Sequence, residues 1–268
     1  MNRNALRHGW SLTETLVVVA IILLLLAMLA PSLYMAKEHA RRAMCANNLK
    51  QWGMAVQEYR DENSDFLPTE GTFLPDPITG QSGVLKPHAW YNALPPYLGL
   101  PAYKDLEGAN VSIRELPELH VWICPSKNLS RLYKSESGMN QFHYGMNAVL
   151  DGFGAPPQGS ADAPGFPDWG DEPIRAGALK RVASAVLLFD VAPNSMFGSP
   201  RDVATKFYRD FRGVRPAKFH GDYAGMLYVD GGVTSCGIDD LVTGRDNRRG
   251  AIVWNHAQLY WGYSPRKD

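Results

Sequence analysis

The chain has 268 residues and equal numbers of basic and acidic side chains, 27 of each. That length suits one large domain or two small ones with a substantial core, and a zero net charge argues against a basic surface built for nucleic acid. Its 25 glycines, 19 prolines and 19 tyrosines and tryptophans describe a loop-rich globular protein and exclude a disordered one.

Residues 1–9, MNRNALRHG, carry Arg3 and Arg7 and no acid; without them 25 basic side chains face 27 acidic ones. After Glu14 comes an uncharged run of 22 residues, 15–36. As a helix it spans about 33 Å, the depth of a bilayer core. The preceding basic residues place the N-terminus in the cytoplasm and the chain after about residue 34 outside. Lys37, Arg41 and Arg42 at the outer end reduce that charge asymmetry. A cleaved secretory signal fits less well. The run exceeds an apolar region of about 7–15 residues, and no A-x-A site follows. Ala30 has Met28 two residues before it and Pro31 directly after. A plain anchor explains length and orientation but not Glu14, because a carboxylate in a span is costly unless paired or near the interface.

The sequence Gly9-Trp10-Ser11-Leu12-Thr13-Glu14, followed by an apolar run, resembles the type IV prepilin cleavage and methylation motif, usually G-F-T-L-x-E. Gly9 matches the residue before the cut. Trp10 matches the first mature residue, with Trp in place of Phe. Glu14 matches the glutamate at the fifth mature position, and Pro31 falls where the family's helix often kinks. The resemblance implies a leader of residues 1–9, cut by a membrane-embedded prepilin peptidase on the cytoplasmic side, and methylation of the new Trp10 amine. It also implies a partner for Glu14 in the amino terminus of a neighbouring subunit, and burial of a carboxylate does favour a cation nearby.

The helix is expected to run from residue 10 to about residue 63, with a membrane span at about 12–34 and a length near 80 Å if continuous. Cys45, Leu49, Trp52, Val56 and Tyr59 recur at helical spacing and predict a buried stripe facing a head domain, residues 64–268. Gln57, Glu58, Arg60, Asp61 and Glu62 read as the solvated face. DENSDFLP, 61–68, ends the helix with turn formers. A short helical turn fits HAWYNALPPYLGL, 88–100. Strand signals follow at 120–126, 142–150, 184–191 and 225–238. Between them, 151–173 is a Pro/Gly-rich loop whose acids lack the D-x-D-x-D-G calcium pattern. The aromatic-rich VWNHAQLYWGYSP, 253–265, suits a last strand. The three cysteines, Cys45, Cys124 and Cys236, allow at most one internal disulfide. Pairing of Cys45 with Cys124, through packing of the helix on the sheet, and three separate buried thiols both fit. No zinc spacing or catalytic motif occurs, so no metal, cofactor or catalytic residue is expected.

His220, nine residues, then Asp230-Gly231 resembles the H-X9-DG motif of a group of prepilin-like proteins abundant in planctomycetes. CANNLKQWGMAVQEY (45–59), CPS (124–126), YGMN (144–147) and LLFDV (187–191) fit the same group. His220 and Asp230 lie at opposite ends of a strand read at 224–229, about 20 Å apart, too far for a dyad. Asp230-Gly231 reads as a type I′ hairpin turn. The expected fold is α+β and pilin-like: a long N-terminal helix, its first half membrane-spanning, packed on a mostly antiparallel sheet. The expected function is that of a structural pseudopilin or minor-pilin-like subunit in a type II secretion or type IV pilus filament. Its partners would be the prepilin peptidase, the inner membrane and other such subunits through their N-terminal helices, with the head periplasmic or extracellular. The alternatives are a membrane-displayed module that binds polysaccharide through aromatic faces and, last, a periplasmic hydrolase using His220.

Overall fold

The structure is a computed structural model that describes residues 11–69, 87–109, 117–126, 143–147, 150, 174–179, 181–190, 223–237, 242–243 and 251–252. The chain divides into two compact units, Met1–Arg41 and Arg42–Asp268. One helix, α1 (Leu12–Glu62), contributes to both.

In the first unit α1 is apolar on every side, and each residue from 11 to 37 is exposed. It is long and apolar enough to cross a membrane. Pro31 lies inside it without ending it.

In the second unit α1 presents the predicted stripe. Cys45, Leu49, Trp52, Val56 and Tyr59 are all buried, joined by Gly53 and Ala55. The helix ends beyond Glu62 where Ser64 (φ 55°) and Asp65 (φ 67°) take the left-handed conformation. The Asp65 N–H returns to the Arg60 carbonyl at 2.9 Å. Two short helices, α2 (Trp90–Ala93) and α3 (Tyr103–Gly108), and a 3-10 turn at Pro95–Leu98 follow. The sheet is a meander of β1 (Tyr144–Met146), β2 (Val186–Asp190), β3 (Tyr223–Tyr228) and β4 (Val233–Gly237), with each neighbouring pair antiparallel. All five residues of β2 are buried, which suits a central strand covered on both faces, whereas β4 exposes Thr234 and Ser235. A two-stranded ribbon, β5 (Val242–Thr243) with β6 (Ala251–Ile252), completes the described elements. The α+β, pilin-like layout is the one expected.

The core is aromatic. Trp52 packs edge-on against Trp90 and Trp122, with ring centroids 5.6 and 4.9 Å apart. Tyr103 joins Tyr91 at 5.7 Å and Trp122 at 6.2 Å. Such pairs add about 0.5–1.5 kcal/mol each to their burial. Trp52, Trp90 and Trp122 are therefore structural residues and not a sugar platform.

The strand expected at 120–126 is a 3-10 turn, Pro117–Trp122, followed by irregular chain. Three of its carbonyls are taken by side chains of α1, and the Trp122 carbonyl accepts the His143 N–H, directly before β1, at 2.9 Å. Asn48 Nδ2 donates to the His120 and Ile123 carbonyls at 3.3 and 3.1 Å, and Trp52 Nε1 donates to the Val121 carbonyl at 3.2 Å. Cys45 is bonded to Cys124 in a disulfide, so the alternative of three separate thiols does not hold; Cys236 is the buried free thiol. Cys45, Asn48 and Trp52 thus hold one segment from one helical face.

The disulfide closes a loop with a sequence separation of 79. Replacing both Cys45 and Cys124 by alanine is expected to lower stability by about 4–5 kcal/mol through restored freedom of the unfolded chain. Urea unfolding of the full chain in detergent measures it; a loss below about 1 kcal/mol would contradict this loop-closure account.

Candidate functional site

Three of the sequence-marked positions, Gly9, Trp10 and His220, lie outside the described residues, as do the acids of the loop at 151–173 and the strand expected at 253–265. Pro31 lies within α1 and Cys45 and Cys124 form the disulfide already described; the other marked residues fall in two places, the start of α1 and the β3–β4 turn.

At the start of α1, Ser11 and Glu14 form a reciprocal cap. Ser11 Oγ accepts the Glu14 N–H at 3.2 Å, and Glu14 Oε2 accepts the Ser11 N–H and its hydroxyl, both at 2.8 Å. This is a capping box, in which serine and the glutamate three residues later satisfy each other's backbone donors. Within this unit Glu14 therefore has a local task that the prepilin resemblance did not suggest. Its signal, Ser-x-x-Glu ahead of an apolar run, was present in the sequence.

Asp230 and Gly231 form the tip between β3 and β4. The Gly231 N–H reaches the Tyr228 carbonyl at 2.9 Å, and the Tyr228 N–H reaches the Gly232 carbonyl at 2.8 Å. Gly231 is left-handed at φ 84°, while Asp230 is not among the residues with positive φ. A type I′ turn needs positive φ at both central residues, so the expected turn type is corrected. The tip is a three-residue loop with one left-handed glycine, the arrangement of a type I turn with a G1 bulge. Asp230 Oδ1 accepts the Gly232 N–H at 2.8 Å and braces the loop.

This tip is where α1 lands. A Cβ on Gly53 would stand 2.9 Å from Leu227 Cδ1 and 3.4 Å from the Gly231 Cα. One and two turns on, Gln57 Nε2 and Arg60 NH1 both donate to the Val229 carbonyl, at 3.1 and 3.2 Å. Arg60 also binds Asp65 Oδ1 through Nε and NH2 at 3.0 and 2.6 Å, and Asp65 Oδ2 accepts the Gly177 N–H at 2.8 Å. The Arg60 hydrogen bonds, then the Gly177 N–H, hold the Asp65 carboxyl below its usual range. Gln57 and Arg60 are half-buried docking residues, which corrects the reading of both as solvated. A clue existed: glycine at 53, inside a helix and on the flank of the apolar stripe, marks a close approach of backbone.

A third cluster went unmarked. Asp190 closes β2, is fully buried, and accepts the Gly225 N–H of β3 on Oδ2 at 2.7 Å. Tyr144 is its partner on β1, and the Tyr144 hydroxyl takes a hydrogen bond from Asn48 at 3.2 Å. Burial pushes the Asp190 carboxyl up to about 7, against the pull of the Gly225 N–H. Burial, and then the charge of Asp190, raise the Tyr144 phenol. Nearby, His143 Nδ1 accepts the Cys124 N–H at 2.9 Å. Among the described residues no group of three or more metal-binding side chains converges.

The described part of the H-X9-DG motif is thus a docking turn for a helix, and the head around it is an antiparallel meander beneath α1. The family model described as "Protein of unknown function (DUF1559)" matches residues 35–173. That is over half of the 268 residues, and the chain belongs to this family. No curated protein and no solved structure matches it.

Gly53→Val is expected to cost about 1–3 kcal/mol by overpacking against Leu227 and the Asp230-Gly231 turn. Gly231→Ala is expected to cost about 1–2 kcal/mol through its left-handed backbone. Thermal unfolding of the two variants in detergent checks both. Unchanged melting temperatures would remove the docking role assigned to the turn.

Proposed function

We propose that this chain is a structural, non-catalytic pseudopilin or minor-pilin-like subunit that joins a filament of a type II secretion or type IV pilus machine. The observation that carries this reading is α1 between residues 11 and 37, exposed and apolar on every side, with Glu14 at its head. Such a surface is stable in a lipid bilayer or against other apolar helices, and not in water. The capping box would serve a plain anchor as well; what sets Glu14 apart is its place five residues after Gly9, the spacing of the prepilin motif.

In this reading a prepilin peptidase cuts after Gly9 on the cytoplasmic side and methylates the Trp10 amine. Before the cut, Ser11 holds Glu14 in the capping box. After it, a cationic amine of a neighbouring subunit replaces part of that cap, and the exchange ties processing to assembly. The Ser11 bonds to the Glu14 carboxylate are already charge-assisted, so what favours the exchange is the full positive charge of the amine, which compensates the carboxylate once both groups leave water. The N-terminus starts in the cytoplasm, and the head lies in the periplasm or, after assembly, outside the cell. Met44 and Met54, exposed on α1 within the head unit, offer adaptable apolar contacts to adjacent subunits.

Mass spectrometry of the chain purified from membranes tests the processing step. The expected N-terminus is Trp10, heavier by one methyl group; a start after Ala30 would end the proposal. For assembly, Glu14→Ala is expected to insert in the membrane normally and to appear in sheared filaments at a tenth of the wild-type amount or less, on the order of the 1.4 kcal/mol that a tenfold change represents. Normal incorporation of that variant would remove the pairing role of Glu14.

A further inference from the structure

We propose that the basic residues just beyond the apolar run of α1, with Lys37 and Arg41 at their centre, form a collar that binds the phosphate of anionic phospholipid headgroups in the leaflet where the helix emerges. The inference rests on the membrane placement of α1 proposed above, and not on filament assembly.

The sequence KEHARR, 37–42, carries three basic side chains against one acid, Glu38. These charges work against the orientation that Arg3 and Arg7 favour, because basic residues at the outer end of a span reduce the asymmetry that orients it. Association through apolar helices gives them no task either. Their depth supplies one. The uncharged run ends at Ala36, and Tyr34, close to that end, is exposed. Tyrosine is enriched at the level of the headgroups. Along the helix Lys37 lies about 4.5 Å beyond Tyr34, and Arg41 about 10 Å beyond it. The polar layer of one leaflet is about 5–7 Å thick.

Helix geometry carries both charges back into that layer. Side chains on a helix tilt towards its N-terminus, which here is the side of the span. Arg41 follows this rule: its NH1 lies 3.6 Å from Glu38 Oε2, one turn nearer the span. Tyr34, Lys37 and Arg41, at i, i+3 and i+7, share one helix face. Lys37 is exposed and Arg41 half-exposed. Being four residues apart, Lys37 and Arg41 set two like charges side by side, which is unfavourable on a bare helix. The pair with Glu38 is open to solvent and of a kind that contributes little.

A phosphate diester between the two cations relieves their repulsion, and a guanidinium fork matches two of its oxygens. The stems of both side chains are long enough to lie along the apolar surface while their heads reach the phosphate. A zwitterionic headgroup brings its own ammonium, which competes for that phosphate. The collar therefore fits a lipid whose phosphate has no such internal partner, as in phosphatidylglycerol.

The test reconstitutes the full chain in vesicles of equal amounts of phosphatidylglycerol and phosphatidylcholine, releases it into mild detergent, and counts the retained lipids by mass spectrometry. Wild type is compared with Lys37→Gln/Arg41→Gln and with the charge-preserving Lys37→Arg/Arg41→Lys. Arg3 and Arg7 are common to all three chains and cancel. A basic residue near an anionic surface changes partition roughly fivefold. The retained ratio of phosphatidylglycerol to phosphatidylcholine is expected to be at least about fivefold lower in the neutralised variant than in wild type, and to return to the wild-type value in the charge-preserving one. Equal ratios in wild type and the neutralised variant, with both chains resistant to alkaline carbonate, would overturn the collar alone. A wild-type chain that carbonate strips from the vesicles would overturn the membrane placement and the collar with it. Glu58 and Asp61, exposed near the far end of α1, offer the competing occupant in a second copy. An unchanged lipid ratio with loss of cross-links between copies would assign Lys37 and Arg41 to that contact instead and overturn the proposal.

Discussion

The packing of one face of α1 on the head is the constraint from which the rest of the second unit follows. Cys45, Asn48 and Trp52 hold the 120–124 segment; Leu49 meets the Gly225 backbone; Gly53 admits the β3–β4 turn; Gln57 and Arg60 bond to its Val229 carbonyl. These contacts lie along successive turns of one helix. Apolar burial supplies the attraction, and the polar contacts fix the register, because each satisfies a backbone group that would otherwise be left without a partner in the interior. The aromatic cluster around Trp52 fills the space between this face and the segments that follow.

That arrangement gives the Asp-Gly end of the H-X9-DG motif a physical meaning. Gly231 supplies a left-handed backbone, Asp230 braces it, and the resulting tip is low enough for Gly53 to approach. A motif at the C-terminal end of the chain is thereby linked to the helix at its start. A family model that covers residues 35–173 spans the helical partner of this contact but not the turn.

Much of this was legible in the residues. The helical spacing of Cys45, Leu49, Trp52, Val56 and Tyr59 marks the buried face because a period of 3.6 leaves few other interpretations. The strands at Val186–Asp190 and Tyr223–Tyr228 announced themselves through apolar runs with turn formers beyond. The segment at 120–126 misled, since apolar, β-branched residues suit both a strand and a buried irregular segment. What decided between them was a set of side-chain donors 70 or so residues earlier in the chain, Asn48 and Trp52, and local pattern carries no record of such partners. Arg60 and Asp190 were hidden for a related reason. A charged side chain near a helix end or at a strand end is usually solvated, and only the tertiary surroundings make it otherwise. The turn type failed on a finer point: Asp-Gly signals a tight turn, but one additional loop residue converts the two left-handed positions into one.

The Cys45–Cys124 bond has a mechanical consequence. It encloses residues 46–123 in a covalent loop, so a pull between the start of α1 and the chain beyond residue 124 passes through the sulfur bridge and bypasses everything enclosed. The Trp52, Trp90 and Trp122 cluster, which lies wholly inside that loop, is shielded from end-to-end stretching. Tension that peels the β3–β4 hairpin from the helix would leave the enclosed part of the core covalently closed. Extension before the bridge breaks is limited to the sequence outside the loop, and at most about 3.3–3.6 Å is gained per residue released.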